Sequence, residues 1–159
     1  MRRTRRSPNL RTTFRAAFGI VALAYSGYGT AQGETDDNPG SRTNDAARFD
    51  YLLHCSGCHR PDGTGSAPDV PSLRRTMGSL VATPEGREYI ARVPEVAQSP
   101  LDDDDLARLL NWVLQEFNAD TLPEGFRPLE GGEVARARAR ILADPIRARK
   151  SIVATYREE

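Results

Sequence analysis

Apolar side chains recur at the spacing of an α-helix in two parts of the chain. In the shorter part, Phe49, Leu52 and Leu53 predict a helix that begins near Asp45. The longer part carries a full apolar face, made by Leu106, Leu109, Leu110, Val113 and Phe117. Both repeats follow the 3.6-residue period of a helix that buries one side, so the pattern predicts an all-α fold.

Two further helix starts lie between these segments. Thr83 and Pro84 combine a capping hydroxyl with a proline in the first turn, and this helix is expected to reach about Val93. The second start, at residues 99–102, opens a run of four acids at positions 102–105. Acids in a first turn interact favourably with the helix dipole, which favours a solvated helix terminus; a docking patch for a basic partner is the alternative.

Residues 119–159 form a C-terminal extension in this interpretation. Prolines and glycines between residues 123 and 132 predict a loop. An Arg-Ala-rich segment with a thin apolar face begins at Glu133, and Pro145 interrupts it. The extension is therefore expected to be a short helix docked on the domain, or a mobile tail.

The amino-terminal segment has the organisation of a secretory signal. Arginines come first, a short apolar stretch covers residues 16–25, and a small-x-small site ends at Ala31. The apolar stretch is about half of the ~20 residues that span a bilayer as a helix. We expect residues 1–31 to be a signal peptide, residues 32–43 to be a polar linker, and the mature protein to be periplasmic. A membrane anchor is expected only if the leader stays uncleaved.

The balanced charge of the whole chain conceals an acidic mature protein. The sequence has 22 basic and 22 acidic side chains, but residues 1–31 contain six of the arginines and no acid. The remainder therefore holds 16 basic and 22 acidic groups, a net charge of −6. Nucleic-acid binding needs a basic surface, so no nucleic-acid partner is expected.

The chemistry of the chain is concentrated in one motif, Cys55-Ser56-Gly57-Cys58-His59, which contains both cysteines of the sequence. This spacing is the attachment signature of c-type haem. Two thiols separated by one turn add to the two vinyl groups of a porphyrin, and the next residue, His59, projects towards the iron. The motif predicts one haem c per chain, covalently attached.

Two other interpretations of the cysteines are weaker. Without His59, Cys55 and Cys58 would suit a redox dithiol. A zinc site would need two more ligands, but the sequence has no second cysteine pair, and its only histidine besides His59 is His54, directly beside Cys55. His54 directly precedes the attachment turn and is not expected to ligate iron.

Around this motif the chain resembles a small bacterial class I cytochrome c, over residues 44–118. The resemblance rests on the motif, on the glycine-rich loop after it, on Pro71 with Leu73, and on the segment 109–114, which is similar to the family's terminal helix. It implies three or four short helices around one covalent haem. It also implies that the first and last helices cross, with Phe49 against Trp112 or Val113.

The resemblance assigns two further residues to the haem. Pro71 lies 12 residues after His59, and its carbonyl is implied to accept a hydrogen bond from the free ring nitrogen of the histidine. Pro68 is the alternative acceptor. Leu73 is implied to pack on the haem.

The chain departs from the family at the distal ligand of the iron. Val96, sixteen residues before Trp112, stands where the family carries a methionine, and Met77 is the one methionine outside residues 1–31. Three interpretations stay open. Met77 ligates from an unusual position, sharing a helical face with Leu73; the iron is five-coordinate or water-bound under a pocket lined by Val93 and Val96; or another side chain ligates. The candidates for that third case are Gln98, Tyr89 and Lys150.

These features predict an electron carrier, not an enzyme. It would exchange single electrons with a redox protein, alone or as the haem subunit of a dehydrogenase or reductase. A haem protein with an open site, which binds a small gaseous ligand or has weak peroxidase activity, is the alternative.

Overall fold

A computed structural model describes residues 39–140 and 142–158 of the chain, and the predicted signal peptide lies outside these residues. The described residues form eight helices and no strand, apart from an isolated pairing of Ser66 with Val70. The prediction of an all-α fold is confirmed. The helices are α1 Pro39–His54, α2 Ser56–His59, α3 Met77–Leu80, α4 Pro84–Arg92, α5 Pro94–Ala97, α6 Asp103–Asn118, α7 Gly131–Arg138 and α8 Pro145–Glu158.

The first helix begins earlier than the sequence predicts. The structure starts α1 at Pro39, so residues 39–43 of the predicted linker are helical, and the expected start near Asp45 is wrong. Proline is well tolerated in the first turn of a helix, because the amide that it lacks has no partner there. Thr43 and Asn44, two residues that could cap a helix beginning near Asp45, therefore lie inside α1.

The core forms where α1 packs against α6. Tyr51 of α1 is fully buried, and its ring lies 5.3 Å from the rings of both Trp112 and Phe117. Ala47, one turn earlier on the same face, is 1% exposed, and its small side chain allows the two helices to approach closely. Contact between the first and last helices of the predicted domain is thus present, with Tyr51 at its centre.

The predicted contact of Phe49 with Trp112 or Val113 is wrong. Phe49 is 64% exposed and Leu53 is equally exposed, so the apolar triplet of α1 faces away from the core. Successive helical residues are about 100° apart, which places Phe49 on the side opposite Ala47 and Tyr51. The sequence offered two apolar faces on this helix, and the face with the smaller alanine was the one that packed.

Carboxylates at the start of α6 form hydrogen bonds and ion pairs within the protein. Asp102 caps the helix by accepting the amide of Asp105 at 2.8 Å. Asp105 pairs with Arg108, which also binds Asp50 of α1 at 2.9 Å, and Asp103 pairs with Arg138 of α7 at 3.3 Å. Three of the four carboxylates thus have partners in the fold, as expected of a helix terminus.

The C-terminal extension belongs to the same compact unit as the helices before it. It contains two helices, with α7 packed on α6 and α4, and α8 packed on α4 and α3. Pro145 begins α8 instead of interrupting a helix, and the Asp144 carboxylate caps that helix by accepting the amide of Arg147 at 2.9 Å. No helix among the described residues is long and apolar enough to cross a bilayer.

Asn118, at the end of α6, fixes the position of α3. Its side chain is fully buried, and its amide oxygen accepts the backbone amides of Met77 and Gly78 at 3.0 and 3.3 Å. Its nitrogen donates to the Val113 carbonyl at 3.3 Å. These bonds satisfy amides at the first turn of α3, which have no partner inside the helix.

We predict that Asn118→Ala destabilises the protein strongly, because it leaves two buried amides without an acceptor. The free energy of unfolding, measured by urea titration, should fall by about 2–4 kcal/mol. Gln115→Ala, at an exposed position of the same helix, is the control and should change it by less than about 0.5 kcal/mol. Equal effects of the two substitutions would contradict the role given to Asn118.

Candidate functional site

The attachment motif forms a single turn at the end of α1. The amide of Cys55 bonds to the Tyr51 carbonyl at 2.9 Å, and the amides of Cys58 and His59 bond to the Cys55 carbonyl at 3.2 and 2.9 Å. Both thiols are free; Cys55 is half-buried against the core and Cys58 is exposed. Two thiols and an imidazole are therefore held on one rigid turn.

The electrostatics of Cys55 do not suit a reactive dithiol. Burial, together with the charge of Asp50, raises the pKa of the Cys55 thiol to about 11. Redox-active cysteines have a lowered pKa, because the thiolate is the nucleophile. Among the described residues there is also no cluster of three or more histidine, cysteine or acidic side chains that would hold a metal.

His59 has the tautomer and exposure of a metal ligand. Its Nδ1 lies 3.1 Å from the Pro71 carbonyl oxygen, and a carbonyl only accepts, so Nδ1 carries the proton. Burial lowers the pKa of His59, although the bond to Pro71 opposes this shift. The neutral ring then leaves the Nε2 lone pair available for iron.

The loop after the motif places the Pro71 carbonyl beside the histidine. Its backbone folds back through bonds from the Gly65 amide to the His59 carbonyl at 3.0 Å and from the Leu73 amide to the Gly63 carbonyl at 2.9 Å. Gly63 and Gly65 both have positive φ angles, which side chains other than glycine rarely adopt. Of the two candidate prolines, Pro71 is the one whose carbonyl meets the imidazole; its action on an iron ligand stays a prediction.

Glycine is required at position 65 for a second reason. A Cβ atom there would lie 2.6 Å from the carbonyl oxygens of both Val70 and Pro71. Any side chain at this position would therefore displace the acceptor of the His59 bond. The loop and the histidine form one structural unit.

Met77 and Leu73 do not share a helical face. Arg75 has a φ of +58°, and α3 begins only at Met77, so the expected helical turns over residues 72–77 are absent. Leu73 is half-buried against the core, whereas Met77 is 7% exposed within it. This environment favours packing for Met77, and iron ligation by Met77 stays a prediction.

Charged groups of α5 and α8 lie near the imidazole. The charges of Arg149 and Glu95 both act on the pKa of His59, in opposite directions, and Arg149 also acts on Tyr89. Val96 is half-buried and packs against the core, whereas Gln98 and Lys150 are exposed. No pattern in the sequence pointed to Arg149, because only the folding of α8 onto α4 brings it near residues ninety positions earlier.

The donor set fits a covalently bound haem. Two unpaired thiols lie on one turn, and the next side chain is a neutral imidazole whose second nitrogen is already bonded. Cys55 and Cys58 would hold the porphyrin through thioether bonds and His59 would ligate the iron. When bound, haem supplies reversible one-electron chemistry between ferric and ferrous iron.

Comparison with known proteins supports a c-type cytochrome. No protein-family model matches the chain. The chain is 27% identical over 106 residues to a cytochrome c-552 of Thermus thermophilus, an alignment that covers 55% of this chain and 81% of that protein. It is equally similar to a second cytochrome c-552 from a strain of the same organism, of which 72% is covered. This distant relationship implies a covalently bound haem c, and the all-α fold is of the cytochrome c type.

We predict that Gly65→Ala has a larger effect than Gly125→Ala. Both residues have positive φ angles, but a Cβ atom at Gly125 meets nothing within 4 Å. Gly125→Ala should therefore cost only the backbone strain of about 1–2 kcal/mol. Gly65→Ala should lower the free energy of unfolding further, because it also displaces the Pro71 carbonyl.

The same pair of variants distinguishes a general loss of stability from a change in the hydrogen bond of His59. In the haem-loaded protein, Gly65→Ala should raise the reduction potential, because a weaker Nδ1 bond makes His59 a poorer donor to ferric iron. Gly125→Ala should leave the potential unchanged. Voltammetry that finds equal potentials for both variants would refute the coupling between the loop and the imidazole.

Proposed function

We propose that the chain is a periplasmic mono-haem c-type cytochrome of the small bacterial class I. It carries single electrons to or from a redox protein, alone or as the haem subunit of a dehydrogenase or reductase. Cys55 and Cys58 anchor the haem, His59 is the proximal iron ligand, and Pro71 and Leu73 support it. Signal cleavage after Ala31 releases the mature protein.

One observation carries this proposal. The His59 imidazole donates from Nδ1 to Pro71 at 3.1 Å, immediately after two free thiols on the same turn. A hydrogen bond of this kind fixes the ring and raises its basicity towards a metal. Haem attachment uses both thiols and the imidazole, whereas a redox dithiol requires only the two thiols.

The first test asks whether the thiols attach one haem. We predict that the chain, exported in a bacterium with cytochrome c maturation proteins, carries one haem that acidified acetone does not extract. Cys55→Ala combined with Cys58→Ala should lose this haem, because no thioether bond can form. The measurements are the intact mass and the pyridine haemochrome spectrum.

His54→Ala is the matched control, since His54 is the chain's other histidine, directly beside Cys55. It should retain the haem and cycle between ferric and ferrous iron like the wild type. Haem that acetone extracts from the wild-type protein, or bound haem that a small reductant fails to cycle, would rule out the proposed electron carrier.

A second candidate function is favoured by the position of Met77. This methionine lies in the core, its amide bound to Asn118 at 3.0 Å, and Val96 stands where the related family carries its ligand. Iron that neither Met77 nor another side chain ligates would be open on its distal side. The protein would then bind a small gaseous ligand, or have weak peroxidase activity.

Met77→Ala separates the two candidates. If Met77 only packs, the substitution should cost about 2–5 kcal/mol of stability, because it leaves a cavity. The ferric spectrum should then be the same in both proteins and lack the near-infrared sulfur-to-iron band. A wild-type band that disappears in the variant would instead identify Met77 as the distal ligand.

A further inference from the structure

Arg138 of α7 binds the backbone at the end of α5 and in the loop between α5 and α6, residues 98–102. Its guanidinium donates to three carbonyl oxygens: Nε to Ala97 at 3.0 Å, one terminal nitrogen to Leu101 at 2.8 Å, and the other to Ser99 at 2.7 Å. It also pairs with Asp103, at 3.3 Å. The side chain is only 17% exposed, so these are charge-assisted bonds with little competition from water.

The loop also contains a group that favours opening. The Ser99 hydroxyl oxygen is buried and has no hydrogen-bond partner in the described part of the chain. A buried hydroxyl without a partner is unfavourable, and opening the loop would return it to water. The bonds from Arg138 therefore act against this unfavourable contribution of Ser99.

This loop continues directly from helix α5. Helix α5 contains Glu95, whose charge acts on His59, and Val96, which packs against the core. The Ser99 amide bonds to the Val96 carbonyl at 3.1 Å, so α5 and the loop are mechanically connected. A shift of the loop would therefore also move α5 and its Glu95, which lies near the imidazole.

We propose that Arg138 is a positioning residue that holds the α5–α6 loop closed and so limits the access of small ligands to the iron. The inference rests on the proposed haem function and adds to it a role for the C-terminal extension. The extension would hold α5 and the loop after it in place, because the Arg138 guanidinium binds the carbonyls of Ala97, Ser99 and Leu101.

The test is the association rate of carbon monoxide with the ferrous, haem-loaded protein, measured by stopped flow well below the melting temperature. Arg138→Ala should bind at least about tenfold faster, since loss of even one charged hydrogen bond shifts a closed–open equilibrium by that factor. Arg136→Ala, at an exposed arginine of the same helix, is the control and should bind at the wild-type rate.

Ser99→Ala is expected to change the association rate of carbon monoxide in the opposite direction. It removes the unpaired hydroxyl, stabilises the closed loop and should slow association below the wild-type rate, an effect that general loss of stability does not produce. If Arg138→Ala fails to fold, Arg138→Lys takes its place and should give an intermediate rate, because an ammonium group satisfies fewer of the carbonyls.

Hydrogen exchange separates this inference from the proposed function. The amides of Gln98 and Ser99 should exchange faster in Arg138→Ala and slower in Ser99→Ala, whether or not haem is attached. A wild-type protein that attaches no haem refutes the proposed function, and the inference with it, even if the exchange pattern is found. If haem is attached, equal carbon monoxide rates or equal exchange in Arg138→Ala and Arg136→Ala overturn the inference alone.

Discussion

Tyr51 is the residue through which the core and the attachment site depend on each other. Its ring lies between Trp112 and Phe117, in the contact of α1 with α6, and its hydroxyl donates to the Arg60 carbonyl at 2.5 Å. Arg60 directly follows His59, so this bond fixes the point where the chain leaves the attachment turn. A buried tyrosine needs a partner for its hydroxyl, and here the partner lies in the loop that orients the histidine. Burial raises the pKa of Tyr51 to about 12, so the hydroxyl keeps its proton and remains a donor.

Arginines fasten the C-terminal extension to the helices before it. Arg87 forms two bonds with the Glu133 carboxylate, both at 2.8 Å, and a third with the Arg127 carbonyl. Arg92 donates to the Arg140 carbonyl, and Arg138 holds the loop after α5. A guanidinium presents five donors in a rigid fork, so one side chain can satisfy several carbonyls that would otherwise lack partners at the ends of short helices. The sequence contains one lysine, Lys150, which agrees with this use of arginine.

The parts of the fold with local signals were predictable from sequence. The apolar period from Leu106 to Phe117 predicted α6, and Thr83 with Pro84 predicted the start of α4, where the Thr83 hydroxyl accepts the Gly86 amide at 3.1 Å. The resemblance to the small class I cytochromes c, carried by the cysteine motif and by Pro71, implied the histidine contact, and both groups lie close together in sequence. A docked helix in the extension was one of two alternatives from the sequence, and the docking of α8 was not predicted. The apolar faces of these helices are thin, and the side-chain bonds that fix α7 join residues far apart in sequence. The prediction of which face of α1 packs on α6 was also wrong. Phe49 is more apolar than Ala47, but the smaller residue allowed the closer contact between the helices.

Separate parts of the chain hold His59 and the nearby helix α5. The loop of residues 60–73, which follows the motif directly in sequence, fixes the imidazole through the Pro71 carbonyl. Arg138 of the extension holds the end of α5 and the loop after it, from about forty positions further along the chain. With haem bound, the hydrogen bond to His59 would act on the electron density at the iron, whereas the proposed hold of Arg138 on the α5–α6 loop would act on access to it. Arg138 binds residues 97–103, whereas the His59 imidazole binds Pro71. A substitution of Arg138 therefore acts on the α5–α6 loop and leaves the groups that form the histidine bond in place.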